Sequence, residues 1–422
     1  MDDIRKKLNK NMESMIDDAK KFLEQMIKIP TENPPGIDYE KFASFFNKKL
    51  NDCGYKTEII EVPENRLKEL SEFGKGPRPS VIGIKGSGKI KIAFNGHYDV
   101  VPAGNGWKTD PYKAVDDRKY IYGRGSSDMK GGLAMQIYAI KLLENTFPEV
   151  MNNLTVMQTA VPDEETVGNR NAGMYYLIET AKISPSNTDF VIYTEPLGVN
   201  NICYGHRGAI FITVNVYGKK SHGSMPYLGK DAIAATAELV NEINKYGKEI
   251  EKSTLSKYNV IPDGSKKPGL AIGYLRCGTW ANTIADECEF SIYRRLIPEE
   301  NLEEEKNKLY SIIKEFSEKI SLKITINEHY VTDSILEDTD NSYYSLFCSG
   351  IEKVIGHKPE MVLSPGTFDM RFTHSVGIPS LNYGPGILEE SHMTDEKILI
   401  DDFKTSIVAL ASGIYEIGTG IK

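Results

Sequence analysis

Lys89–Val101, KIKIAFNGHYDVV, is the stretch whose reading decides the fold. Ile90, Ile92 and Phe94 alternate until Gly96 breaks the pattern at His97, which describes a buried strand delivering His97 and Asp99 to its carboxyl end. Further on, Tyr122–Leu143, YGRGSSDMKGGLAMQIYAIKLL, turns a Gly/Ser-rich loop into a helix with Leu133, Ile137, Ile140 and Leu143 on its apolar side. Asp128 falls near that helix's N-terminus, where a carboxylate is electrostatically favoured. A lone Asp there usually caps its helix. A His and an Asp two apart on a strand end, joined by a second Asp at a helix start, can instead form one side of a metal site.

Outward from this stretch the chain keeps alternating. Leu154–Asn169, LTVMQTAVPDEETVGN, is a strand running into a polar turn with Asp163, Glu164 and Glu165. Asn171–Ala181 is helical, and Thr188–Gly198, TDFVIYTEPLG, is a strand with Glu195 just past its end. His or Glu thus stands at the carboxyl end of each of these strands, the edge at which open α/β sheets hold ligands and metals. Upstream, residues 3–27 place Ile4, Leu8, Met12, Ile16, Ala19 and Leu23 at helical spacing, which predicts one long amphipathic helix ended by Pro30 and the TENPPG turn. A helix over 38–54 and strands over 56–62 and 80–86 follow, so the fold class is α/β.

From Arg207 the texture changes. Ala209–Lys219 (strand), Ser221–Ile243 (loop, then helix), Leu270–Gly278 and Glu287–Ile297 (strands), Asn301–Phe316 (helix) and Leu322–Tyr330 (strand) give the β-α-β-β-α-β order of a ferredoxin-like α+β domain. The chain then returns to helix and strand, and Pro379–Lys397, PSLNYGPGILEESHMTDEK, reads as a strand, a Gly/Pro turn and an exposed His392. The expectation is a discontinuous α/β domain of 1–206 and 331–422, a mixed sheet flanked by helices, with residues 207–330 inserted as a smaller domain.

A chain of 422 residues exceeds one hydrophobic core, in keeping with two domains. The net charge of −8 and the lack of long basic runs argue against nucleic acid as a partner. The N-terminal MDDIRKKLNK is too polar for a signal segment and no stretch approaches the ~20 apolar residues of a membrane span, so a cytoplasmic protein without membrane contact is expected. Cys53, Cys203, Cys277, Cys288 and Cys348 show no CxxC spacing, and reduced thiols are expected for all five.

The segments FNGHYDVVP, YGRGSSDMKGG, VPDEETVG, TEPLG, GKKSHGSMP and GPGILEESHMTDE together resemble, in order and over nearly the whole chain, the dizinc aminoacylase/carboxypeptidase family. That family includes acetylornithine deacetylase, succinyl-diaminopimelate desuccinylase and glutamate carboxypeptidase. The resemblance implies a zinc-peptidase-like catalytic domain holding two Zn²⁺ per subunit, with Co²⁺ able to substitute. Asp128 would bridge the metals, with His97 and Glu195 completing one and Glu165 and His392 the other. Three protein ligands per zinc leave a position open for a shared water. Asp99 would fix the ring of His97 through a hydrogen bond. Glu164 would be the general base acting on a bridging hydroxide; that Glu164 and not Glu165 is the base rests on the resemblance alone.

In the insert, the resemblance makes His222 the histidine that reaches a partner subunit's active site and stabilises the oxyanion, so the insert becomes a dimerisation and lid domain and the protein a homodimer. Asn282 and Arg295, in NTIADECEFSIYRRLIP, would hold the substrate's carbonyl and carboxylate, although Ala285 stands where a proline is usual and Tyr293 where an aspartate is usual. Arg294 is the alternative to Arg295. Gly366 and Thr367, in SPGTFDMRF, resemble the loop that holds the substrate backbone. The implied activity is amide hydrolysis of a small N-acyl-L-amino acid, with a dipeptidase or carboxypeptidase as the other option. A non-catalytic metabolite-binding relative is disfavoured because the whole ligand set is present. The absence of GxxxxGK[ST] and of GxGxxG after a strand argues against a nucleotide enzyme.

Overall fold

The computed structural model describes residues 2–421 apart from 72, 73, 167 and 254; Val167, within one of the motifs quoted above, therefore lies outside the described residues. Among the described residues, nine strands form one mixed sheet. In chain order these are β1 (Lys56–Glu61), β2 (Pro79–Gly86), β3 (Ile90–Asn95), β4 (Leu154–Ala160), β5 (Phe190–Tyr193) and β6 (Asn201–His206). A second sheet has β7 (Ala209–Tyr217), β8 (Gly269–Cys277), β9 (Glu287–Arg295) and β10 (Lys323–Thr332), and the first is completed by β11 (Ile335–Leu336), β12 (Glu360–Ser364) and β13 (Ser380–Asn382). The large sheet runs β1-β2-β4-β3-β5-β13-β6-β11, with β12 paired to β6. Its centre, β4-β3-β5-β13, is parallel, so these four strands all point their carboxyl ends to one edge.

Both faces of the sheet are covered, as a parallel centre requires. One face packs on the helices α1 (Asp2–Glu13), α2 (Ile16–Ile27), α3 (Tyr39–Asp52), α4 (Lys130–Thr146) and the C-terminal α5 (Ile400–Gly420). The other packs on the short helices Met174–Glu179 and Met370–Ser375. Two expectations change here. The helix expected over 3–27 is broken at Ser14 and Met15, where the backbone bonds to Asn11 and Met12 three residues back and the Ser14 hydroxyl donates to the Asn11 carbonyl at 2.8 Å. And α4 is buried almost all round, not on one stripe, because the sheet lies on one side and α2 and α5 on the other.

The second sheet stands apart from the first, in the order β8-β9-β7-β10, fully antiparallel and backed by the helices Ala232–Ile250 and Leu302–Ile320 around a core of its own. This is the strand order that the β-α-β-β-α-β pattern requires. Cys277 and Cys288 face each other across β8 and β9 with Cα atoms 4.3 Å apart and are disulfide-bonded, contrary to the expectation of five free thiols. Cys53, Cys203 and Cys348 are free. Among the described residues no helix is long and apolar enough to cross a membrane.

Candidate metal centre

The four parallel strands explain how residues far apart in sequence meet. β3 leads through Gly96 to His97; a side chain at Gly96 would meet Leu133 and Met129 within 3 Å, so glycine lets the strand end close onto α4. Buried His97 then faces the start of α4, and its Nε2 lies 3.2 Å from Asp128 Oδ1 and 3.5 Å from Glu195 Oε2. The other oxygen of Asp128, Oδ2, lies 3.6 Å from His392 Nε2, which is 2.9 Å from Glu165 Oε2. Two groups result, His97 with Asp128 and Glu195, and Asp128 with Glu165 and His392, the ligand atoms within each lying within 4.8 Å of one another. Asp128 belongs to both and offers a different oxygen to each.

The supports of this arrangement lie one step back. The strand Lys397–Leu399 pairs with Tyr120–Tyr122, which carries the His392 turn to the loop before α4 and inserts Glu396 into it. The buried Glu396 carboxylate accepts the N–H groups of Gly125 at 3.0 Å, Ser127 at 2.8 Å and Asp128 at 3.0 Å, and pairs with Arg124 at 2.8 Å. On the other side, Asp163 sits in the left-handed region (φ 62°) and is held by Arg78 at 2.9 Å, Asn33 at 3.0 Å and Tyr39 at 3.1 Å. This bends the turn so that Glu164 and Glu165 point at the cluster.

Asp99 differs from its expected part. The hydrogen-bond partner of His97 Nδ1 is the Asp99 backbone carbonyl at 2.9 Å, with the nearer carboxylate oxygen at 3.5 Å. The carboxylate chiefly accepts the N–H groups of Glu164 and Glu165, at 3.3 and 3.1 Å, and an amide N–H of Asn33 at 2.9 Å. It therefore locks the acidic turn of β4 to the end of β3. Glu195 is fixed in its turn by Asn382 on β13, whose Oδ1 accepts the Glu195 N–H at 2.7 Å.

The electrostatics are those of a cluster short of positive charge. Burial pushes the Glu164 carboxyl well above the usual range, and Glu195 adds to it despite the nearby His97. Burial likewise lifts Glu195 to about 7 and raises Glu165. Burial alone would lower His97, but Glu195, Asp128 and Asp99 outweigh it and hold it well above an ordinary imidazole. The Glu165 contact raises His392 to about 9. Among the described residues no lysine or arginine pairs with any of the four carboxylates, and buried charge of this density calls for cations. Nitrogen and oxygen donors in two three-residue groups with a shared carboxylate suit a pair of divalent metals of the zinc kind.

Beside the cluster lies a cavity of about 150 Å³ lined by Glu164, Glu165 and His392 and, from the second sheet, by Arg295. Thr367 lines it too, while the Gly366 N–H turns away to Ser364 Oγ at 3.2 Å. Arg294 is excluded as the alternative to Arg295: it is buried within the insert and paired with Glu300 at 2.5 Å and Glu305 at 2.8 Å. His222 and Asn282 lie together on an exposed tip, where His222 pairs with Thr283 and the Gly223 N–H donates to the Asn282 carbonyl at 2.7 Å. Neither lines the cavity of their own chain. Glu396, Arg78 and Arg371 border the site without having been singled out from the sequence, and Asp163 was named there only as part of the acidic turn. Two of them carried a signal: Asp163 opens the acidic triplet, and Glu396 falls four residues after His392 in the same motif.

Comparison with known proteins agrees with this geometry. The sequence profile of peptidase family M20/M25/M40 matches residues 93–416, which include every ligand-type residue of both groups. The chain is 28% identical over 382 residues to an acetylornithine deacetylase of Photorhabdus laumondii, covering 89% of this chain and 90% of that protein. It is 29% identical over 350 residues to a probable succinyl-diaminopimelate desuccinylase of Staphylococcus aureus, covering 76% of this chain and 81% of that protein. The fold superposes on the di-peptidase Dug1p of Saccharomyces cerevisiae with a TM-score of 0.78 at 16% identity, covering 98% of both chains.

Proposed function

Since the chain belongs to peptidase family M20/M25/M40 and is a hydrolase acting on amide bonds, we propose that it deacylates an N-acyl-L-amino acid at a centre of two zinc ions. The observation that carries this reading is Asp128, which turns one oxygen to each of two ligand groups. In it, His97, Asp128 and Glu195 hold one ion, and Asp128, Glu165 and His392 the other. Bound there, the pair supplies Lewis acidity to an amide carbonyl and lowers the pKa of a water.

The protein's own part is proton handling and positioning. Glu164 lines the cavity yet belongs to neither ligand group, so its carboxylate is free to take the proton of the attacking water and hand it to the nitrogen of the leaving amine. Asp99 keeps Glu164 in place through its backbone N–H, and Arg295 offers a planar fork to the substrate's α-carboxylate, with Thr367 and the Gly366 turn beside it. His222 and Asn282 act in trans, on the cavity of a second copy in a homodimer, to hold the carbonyl oxygen as it becomes an oxyanion.

The decisive experiment measures bound zinc and the hydrolysis of N-acetyl, N-succinyl and dipeptide substrates on the same preparation. Close to two metals per chain and activity lost on chelation and restored by Zn²⁺ or Co²⁺ are expected; full activity without metal overturns the metal centre. A preference for dipeptides of more than about tenfold, about 1.4 kcal/mol in the transition state, makes the enzyme a peptidase instead. Mixing H222A and E164Q subunits should regain activity, and its absence after demonstrated subunit exchange overturns action in trans.

A further inference from the structure

The cavity beside the ligand cluster holds two arginines from different elements. Arg295 ends β9, and Arg371 lies in the helix Met370–Ser375. Arg295 has its guanidinium 4.6 Å from the Tyr293 ring centre, and its Nη1 is buried without a hydrogen-bond partner. Arg371 donates from Nη2 to the Gly168 carbonyl at 2.9 Å and lies 4.6 Å from the Tyr330 ring and 4.3 Å from that of Phe372, yet its Nε is also buried without a partner.

The contrast with the neighbouring arginines is informative. Arg78, Arg124 and Arg294 are each buried against a carboxylate of the protein. Arg295 and Arg371 have no such ion pair among the described residues, although both are partly withdrawn from water. Asp369 acts on Arg371 through space but makes no ion pair with it, so the unfilled N–H groups of both guanidinium groups are left for an anion that a ligand brings. Arginine's planar fork fits a carboxylate with two parallel hydrogen bonds, so each fork accommodates a carboxylate of its own.

Taking the amide-hydrolase reading above as its basis, in which Arg295 holds the α-carboxylate, we propose that Arg371 binds a second carboxylate and that the substrates are N-acyl amino acids carrying two. The second carboxylate belongs either to the acyl group, as in an N-succinyl amino acid, or to an acidic side chain. The aromatic rings of Tyr330 and Phe372 hold the Arg371 guanidinium in one plane, so the fork is set before the ligand arrives.

The test compares kcat/KM for N-acetyl-L-methionine, N-acetyl-L-glutamate and N-succinyl-L-methionine in the zinc-loaded wild type, R371Q and R371K. One of the two dicarboxylates should exceed N-acetyl-L-methionine by more than about thirtyfold, and which one does tells side chain from acyl group. R371Q should reduce that ratio by at least about tenfold, as expected for a charged hydrogen bond, with R371K retaining part of it. A wild-type ratio near one, or losses in R371Q of equal size for all three substrates, overturns the proposal and leaves a structural arginine or one shared carboxylate. Should R371Q not fold, an unchanged ratio in R371K overturns it equally. Calorimetric binding of glutarate against butyrate gives a readout free of turnover. If nothing is hydrolysed but glutarate binds at least about tenfold tighter than butyrate in the wild type and not in R371Q, the hydrolase reading has failed and the two-carboxylate site stands.

Discussion

Two populations of buried acid lie within one hydrogen-bond shell of each other and are treated in opposite ways. Asp163 and Glu396 are fully buried, and each faces an arginine, Arg78 or Arg124, at 2.9 and 2.8 Å. Asp128, Glu164, Glu165 and Glu195, at the carboxyl edge of the same sheet, pair with two imidazoles and, among the described residues, with no lysine or arginine. The first set is complete within the polypeptide and serves as a rigid frame. The second is left short of positive charge, and the frame prevents it from relaxing away. The difference separates acids that hold the chain in place from acids to which the proposed function gives metal and substrate.

The largest effect that sharpens this comparison is catalytic. E164Q removes an acid outside both ligand groups, so zinc content should stay near the wild-type value while kcat falls by about 10²–10⁴-fold. H97A and H392A should instead lose metal, read by metal analysis after dialysis. If E164Q loses zinc and E165Q keeps it, base and ligand are interchanged. The next effect is on stability. R124M strands Glu396 among backbone amides without its counter-charge and should cost about 3–5 kcal/mol in chemical denaturation. E195Q, measured on metal-free protein, should cost nothing or stabilise, because it removes a carboxylate whose charged form is disfavoured first by burial and then by Asp128. A substantial destabilisation of metal-free E195Q would erase the distinction between the two sets.

The second set was legible in the sequence and the first largely was not, for a physical reason. The candidate ligands sit at the ends of periodic apolar runs, so the alternation of Ile90, Ile92 and Phe94 locates His97, and the apolar run after Asp128 locates a helix start. Frame residues are defined by contacts between distant segments. Arg78 meets Asp163 and Arg124 meets Glu396 only after β2, β4 and the short Lys397–Leu399 strand have paired. No local period encodes such a meeting. The same limit hid the disulfide, since Cys277 and Cys288 become neighbours only through the register of β8 on β9. The break at Ser14 is the opposite case, a local side-chain bond overriding a periodicity that continues on both sides of it.

The smallest effect tests the comparison through protons and carries a sign. In the metal-free protein Glu195 is raised from 4.5 to about 7 by burial, and His392 from 6.5 to about 9 by Glu165. Both groups hold more protons folded than unfolded between those values, so their contribution to stability falls as pH rises from about 4.5 to 9. His206 runs the other way. It is fully buried beside the cavity, with Nδ1 2.9 Å from the Arg207 carbonyl, and burial lowers it to about 3. The unfolded chain binds the extra proton between pH 3 and 6.5, so this group's contribution to stability rises with pH there, by at most about 1.4 kcal/mol per pH unit. Denaturation of metal-free protein across pH 4–9 should therefore show H206Q flattening only the acid side and E195Q only the side above about 5. Saturating zinc should reverse the slope above pH 5, because metal and protons compete for the same donors. A stability of the metal-free protein that climbs steadily from pH 5 to 9 would mean that the ligand cluster already has its counter-charge, and the contrast between the two sets of acids would fall.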